Sequence, residues 1–223
     1  MTTRTAPPLA RLLTPLALLA LLTLAGCGLA QPYPAINTFD LEPQTLPPPP
    51  FTQVRPKVIL VNQLGSAAAY ETRKLIYKTK GGRLMEDFYN ELVAPPGRLL
   101  ADSLAAWLDR VCPDAQVVRA RGLKGADYVL EGYLAELLGD FSQNPPVARI
   151  TVVITLNDIR RGQVQIVLAR TYQAQAQLSP GLDRPAPELI QALTEAWGQI
   201  RLSVSQDLND YFRATQKKNA KTS

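Results

Sequence analysis

The four residues with the most specific chemistry are Leu24-Ala25-Gly26-Cys27, which match the lipobox pattern L-[AS]-[GA]-C. Small side chains before the cysteine fit a narrow peptidase groove, and the cysteine thiolate is nucleophilic enough to take a diacylglycerol thioether. The expected product starts at Cys27 and carries a diacylglycerol and an N-acyl chain. More than one acyl chain makes membrane attachment stable, where one chain alone leaves it reversible. The preceding residues have the form of an export leader. Arg4 and Arg11 supply the positive region, and a charge-free run from Leu12 to Leu24 supplies the apolar core. That run falls in the range of a signal core and short of the about 20 residues of a membrane-spanning helix. Pro15 argues further against a simple span. The plainer alternative is an ordinary secretory leader that happens to contain a cysteine. Gly28 follows Cys27; the absence of an inner-membrane-retaining Asp there points to the periplasmic face of the outer membrane, with the inner membrane as the lesser alternative.

Other chemistry is sparse. The chain of 223 residues contains no histidine, so histidine triads, histidine–zinc sites and imidazole proton shuttles are excluded. Two cysteines are too few for a disulfide framework or a four-thiolate zinc site. With Cys27 acylated, Cys112 is a lone thiol on an apolar helical face and reads as a small buried hydrophobe. There is no G-x-S-x-G elbow, no phosphate loop and no H-E-x-x-H. Glu131 and Glu136 differ by an odd number, so a regular strand sends them to opposite faces unless a bulge intervenes. Asp207 and Asp210 read as a solvated helix face. No enzyme activity is expected, nor a metal or a cofactor beyond the acyl chains. The formal charge of +5 falls to +3 once Arg4 and Arg11 leave with the leader. This suits anionic headgroups and does not indicate nucleic acid.

The elements follow from pattern. Residues 1–26 are the leader. Residues 27–57 form a proline-rich tether from the acylated cysteine, with Pro47–Pro50 as a polyproline II spacer; a ligand for an SH3-like groove is the alternative. Within the tether, Thr38–Leu41 has the composition of an edge strand. Residues 58–214 form the folded domain, and 215–223 a polar, frayed tail. Val58–Val61 reads as a buried strand and Arg73–Thr79 as an alternating one, while Glu86–Val93 gives no clear period. Leu100, Leu104, Trp107, Leu108 and Val111 lie at helical spacing, and Cys112-Pro113 ends that helix. A short strand is expected at Val117–Arg119. Asp127–Phe141 is a long strand, broken or bulged near Gly132 and Gly139. Arg149–Asp158 alternates cleanly, Arg160–Gln163 turns, and Val164, Ile166 and Leu168 continue the apolar face on the returning strand. A final helix begins near Pro187-Glu188 and carries an apolar stripe from Leu189 to Tyr211. The order implies an α+β fold, a mainly antiparallel sheet with two principal helices packed on one face.

Two surface readings accompany this. Tyr70, Tyr77, Tyr89, Tyr128 and Tyr133, with Phe88 and Met85, either fill the core and half-buried sheet or line a lipid-binding surface. Arg73, Lys74, Lys78, Lys80 and Arg83 form either a solvated edge or a docking patch for anionic lipid or an acidic partner. Tyr70, Arg73, Tyr77 and Tyr89 are the candidate contact residues of such a surface.

Several segments resemble the ABC-type transport auxiliary lipoproteins, which include the paraquat-inducible protein C group. They are Tyr70–Lys78 (YETRKLIYK), Phe88–Pro96 (FYNELVAPP), Leu99-Leu100 with Leu104, Ala126–Leu130 (ADYVL) and Thr155–Asp158 (TLND). The resemblance spans most of 57–213. Leu92 stands where many members carry Trp. It implies a non-catalytic accessory of an ABC/MCE-type intermembrane phospholipid transport system: an outer-membrane anchor or docking platform for an MCE-domain protein and its ABC permease, compatible with a homo-oligomer. The competing reading is an assembly lipoprotein that partners an outer-membrane β-barrel. Cys27→Ala is expected to abolish stable membrane attachment, leaving a soluble or uncleaved species on membrane fractionation; unchanged attachment would refute the acylation of Cys27.

Overall fold

The cleanest alternation in the chain, Ile150, Val152, Ile154 and Leu156, lies on one strand, and these four side chains are all fully buried. The computed structural model describes residues 35–41, 57–112, 115–119, 125–179 and 186–222. The leader, the quartet Leu24–Cys27 and the proline run at 47–50 lie outside them. In chain order the described elements are β1 (Asn37–Phe39), β2 (Lys57–Val61), β3 (Gly65–Ser66), a 3-10 turn (Ala68–Tyr70), β4 (Lys74–Lys78), β5 (Leu84–Leu92), α1 (Pro96–Val111), β6 (Ala115–Val118), β7 (Tyr128–Asp140), β8 (Val147–Asp158), β9 (Gln165–Gln177) and α2 (Ala186–Thr222).

The fold is α+β, with one sheet built around β7. Along one edge, β7 pairs antiparallel with β8 from Tyr128↔Asp158 to Asp140↔Val147, and β8 pairs antiparallel with β9. Along its other edge three short strands follow one another in parallel: β2 at Tyr128–Leu130, β3 at Tyr133–Leu134 and β4 at Gly139–Asp140. β6 adds parallel to β2, β5 antiparallel to β4, and β1 parallel to β5. The sheet is mainly antiparallel, through the long β7–β8 and β8–β9 ladders, and its short parallel ladders make it mixed rather than purely so. A parallel join such as β2–β6 needs a crossover, and α1 supplies it.

Both helices begin as their sequences dictate. α1 carries Pro at its first position, where the missing N–H has no helical acceptor in any case. Gly97 follows because the backbone there approaches Leu64: a Cβ would lie 2.4 Å from the Leu64 carbonyl oxygen. α1 buries Leu100, Leu104, Trp107 and Leu108, each worth about 1.5–3 kcal/mol relative to exposure. α2 has 37 residues, about 55 Å at 1.5 Å per residue. Its stripe from Leu189 to Phe212 packs into the same core, and it continues in helical form through 215–222, where the sequence pattern suggests fraying. The helices are tied reciprocally: Trp107 Nε1 donates to Ser205 Oγ at 2.7 Å, and Trp197 Nε1 donates to Ser103 Oγ at 3.0 Å.

Three departures from regular pairing matter. Leu134 faces Val152 and Glu136 faces Thr151, so Ala135 is an extra residue on β7. This bulge puts Glu131 and Glu136 on the same face after all. Leu168 faces Leu156 and Ile166 faces Asn157, so Val167 is an extra residue on β9. Between β4 and β5 the register jumps from Lys74↔Glu91 to Ile76↔Glu86, which is why Glu86–Val93 shows no period although it is strand.

Leu104 has no solvent exposure. Leu104→Asp strands a carboxylate in the core and is expected to abolish cooperative thermal unfolding followed by circular dichroism; an unchanged melting temperature would overturn the α1 packing.

Candidate functional site

The acylation quartet Leu24, Ala25, Gly26 and Cys27 falls outside the described residues, so the structural question concerns the aromatic and basic candidates. They separate into two groups. Tyr70 and Tyr77 are buried and belong to the core; burial pushes the Tyr70 phenol up, and the nearby Glu136 adds to the effect. Tyr128 is fully buried as well. Phe88 (63% exposed) and Tyr89 (48%) face outward, their rings edge to face at 5.2 Å between centroids.

The separation originates at Asp87. The Tyr77 hydroxyl donates to its Oδ2 at 2.8 Å, the Asn90 amide nitrogen donates to the same oxygen at 3.0 Å, and the backbone N–H groups of Tyr89 and Asn90 donate to Oδ1 at 2.8 and 3.0 Å. These bonds lie in the stretch between Glu86 and Glu91 where the β4–β5 register jumps, and Phe88 and Tyr89 are exposed there. Burial alone would raise the Asp87 carboxyl; the donors from Asn90, Tyr89 and Tyr77 outweigh it and hold the carboxyl below its ordinary value.

The basic strip is largely neutralised. Arg73 pairs with Glu91 and also reaches the Val93 carbonyl, Lys74 pairs with Glu91 at 3.5 Å, and Lys78 lies 4.0 Å from Asp140, which Arg149 holds at 2.9 Å. Lys80 and Arg83 sit exposed in the β4–β5 turn. Leu92 has no exposure, so the position occupied by Trp in the resembling family points into the core here. Asp207 is not on a solvated face: it accepts from the Tyr172 hydroxyl at 2.7 Å and pairs with Arg170, tying α2 to β9. Asp210 is exposed.

Cys112 is buried, and desolvation, reinforced by Asp109, pushes its thiol up to about 12. A thiol so held is inert as a nucleophile. Glu131, brought to the face of Glu136 by the β7 bulge, accepts from the side-chain amides of Asn62 and Asn157 at 2.9 and 3.1 Å. Glu136 accepts from the Thr151 hydroxyl at 3.1 Å. Among the described residues there is no cluster of potential metal ligands, and no helix is long and apolar enough to cross a membrane.

One surface has no counterpart in the sequence pattern. Val164 and Ile166, expected on the core face, are 67% and 64% exposed. They border a cleft of about 780 Å³ between the β8–β9 turn and the end of α2. The only sign in the sequence is an apolar pair beside Arg160-Arg161-Gly162, which reads equally well as a strand entering the core.

The folded-state carboxyl of Asp87 is below its unfolded value. Its contribution to stability is therefore complete above about pH 4 and is lost as pH falls through the lower folded value. Asp87→Asn is expected to cost about 1–3 kcal/mol at pH 7 and to converge with the unsubstituted protein as pH falls through the lowered folded-state value, read as melting temperature against pH. Parallel curves would contradict the role of the carboxylate.

No family model matches the chain, and no curated protein matches it. Solved structures do. A Xanthomonas campestris protein of family DUF330 superposes with a TM-score of 0.69 at 17% identity, over 81% of this chain and 99% of that one. An uncharacterized protein superposes at 0.60 with 17% identity, over 78% and 99%. The Chlamydia trachomatis hypothetical protein CT253 superposes at 0.53 with 10% identity, over 71% and 98%. At these identities the likeness is one of fold: the chain folds as the DUF330 structure does.

Proposed function

We propose that this chain is a non-enzymatic accessory lipoprotein, anchored through Cys27 to the periplasmic face of the outer membrane, that serves an ABC/MCE-type intermembrane phospholipid transport system as a docking or anchoring component. The observation that carries the reading is the lipobox Leu24–Cys27 ahead of a proline-rich tether and a single α+β domain. The segments at 70–78, 88–96 and 126–130 add the family resemblance, and the shared fold with a DUF330 structure is compatible with it.

The disposition of polar groups also supports a non-catalytic role. Asp87, Glu91, Asp140, Asp158 and Asp207 are each held by hydrogen bonds or ion pairs within the domain. The Cys112 thiol is buried. What the domain offers outward is surface: Phe88 and Tyr89 on one side, Val164 and Ile166 on another. Partners in this reading are an MCE-domain protein and its permease, and further copies of the chain.

The test is affinity purification of the tagged full chain from detergent-solubilised membranes with partners identified by mass spectrometry. Recovery of an MCE-domain protein or an ABC permease is expected. Recovery of an outer-membrane β-barrel in their place would overturn the transport reading in favour of an assembly lipoprotein.

A further inference from the structure

The β9 bulge creates the least expected surface on the molecule. Beyond it, Tyr172, Ala174 and Ala176 point into the core. The extra residue Val167 reverses the alternation, so Ile166 points outward, and Val164, in the turn just before β9, is exposed close to it in sequence. Bulges are a recurrent means of re-aiming side chains at functional positions.

The wall opposite comes from α2, where Tyr211, Thr215 and Lys218 share one helical face. The floor and mouth come from the β8–β9 turn, with Asp158, Arg160, Arg161 and Gln163. Arg160 is fixed in place. Its Nε donates to Asp158 Oδ1 at 2.9 Å, a second nitrogen bonds Oδ2, and the guanidinium carbon lies 4.9 Å above the Tyr128 ring. The hydrogen bonds to Asp158 lead in holding it protonated, against the opposing pull of burial. Asp158 is thereby engaged by Arg160. Arg161, next in the chain, is exposed and makes no hydrogen bond or ion pair among the described residues. Among the described residues the lining thus holds Arg160, Arg161 and Lys218 beside the carboxylate of Asp158.

A cationic mouth against an exposed aliphatic wall matches an anionic head joined to a hydrocarbon chain. A free anion leaves Val164 and Ile166 in water, and an uncharged hydrocarbon leaves Arg161 unpaired. The volume of about 780 Å³ lies within the about 300–1,000 Å³ of ordinary ligand sites. We infer that this cleft binds one anionic phospholipid, its phosphate at Arg160 and Arg161 and an acyl segment over Val164 and Ile166. The inference deepens the transport reading by naming a ligand class and rests on that reading for the biological source of the lipid.

The test uses the full chain purified from membranes and held in a non-ionic amphipol, titrated with phosphatidylglycerol fluorescently labelled on an acyl chain. Arg161→Glu and Ile166→Asp, both at exposed positions, are each expected to weaken binding about tenfold, or about 1.4 kcal/mol, with the melting temperature unchanged. Lys80→Glu, in the β4–β5 turn, is expected to bind as the unsubstituted protein does. Unlabelled phosphatidylglycerol is expected to displace the probe. Equal displacement by inorganic phosphate, by uncharged dodecyl maltoside or by an acidic hexapeptide overturns the proposal, as does unaltered binding by both cleft variants. Partner recovery is a separate readout, so failure of lipid binding and failure of the transport reading are distinguishable.

Discussion

Strand β7 is the constraint on which the rest of the domain depends. It pairs with β8 along one edge and with β2, β3 and β4 in succession along the other. Burying such a strand is tolerable only because its backbone groups find partners on both edges. The short strands β2 and β3 make sense in this light: each satisfies a stretch of β7 and then leaves. Space is as tight as pairing. A Cβ at Gly132 would meet the Val153 carbonyl oxygen at 2.6 Å and side chains of Ile154 and Leu64 at 2.8 Å, so only glycine is accommodated. At Gly139 a Cβ would approach Phe141 at 2.9 Å and Leu189 of α2 at 3.2 Å.

A sheet so organised leaves an apolar face that both helices must cover together. Their mutual position is set by the two Trp–Ser bonds, in which each helix supplies one indole donor and one hydroxyl acceptor. A buried indole N–H without an acceptor costs about 1–3 kcal/mol, so sliding one helix along the other loses both bonds at once. Arg201 shows what this packing tolerates. It is 1% exposed, its guanidinium nitrogens have no hydrogen-bond partner among the described residues, and burial, with Arg110 adding to it, pushes it down to about 10. At neutral pH it stays charged. Its compensation is the Trp107 ring, 5.1 Å from the guanidinium carbon, with Arg110 over the same indole at 4.9 Å; such a desolvated cation–π contact is worth about 2 kcal/mol.

Elements with an unbroken period are legible in the sequence itself. α1, β8 and the stripe of α2 bury the residues that their spacing singles out, because a helix of period 3.6 and a strand of period 2 each leave one solution for the apolar set. The mixed character of the sheet is not legible, since alternation reports which face is wet and says nothing of the neighbouring strand's direction. Leu92 illustrates a second limit: a position set apart by comparison with a family turns out to be interior. The candidate surface is legible in part. Residue type singles out Phe88 and Tyr89 together with Tyr70 and Tyr77, but it does not separate aromatic side chains that face water from those that pack inside. The pattern places Val164 and Ile166 on the wrong face for a definite reason. A single extra residue on β9 inverts the faces of everything before it, and nothing about Val167 itself marks it as that residue.

The outward-facing pairs Phe88–Tyr89 and Val164–Ile166 each arise at a break in sheet regularity. Phe88 and Tyr89 sit at the β4–β5 register jump, where Asp87 accepts from two backbone N–H groups; Val164 and Ile166 sit beyond the β9 bulge. A regular register would place Val167 opposite Asn157. In that register Ile166 would share the face of Tyr172 and Ala174, and the β8–β9 turn would present arginines without an aliphatic wall beside them. The amphiphilic character of the cleft is therefore a property of register, not of composition: the same side chains, paired one residue over, would form a slightly larger core and an ordinary basic turn.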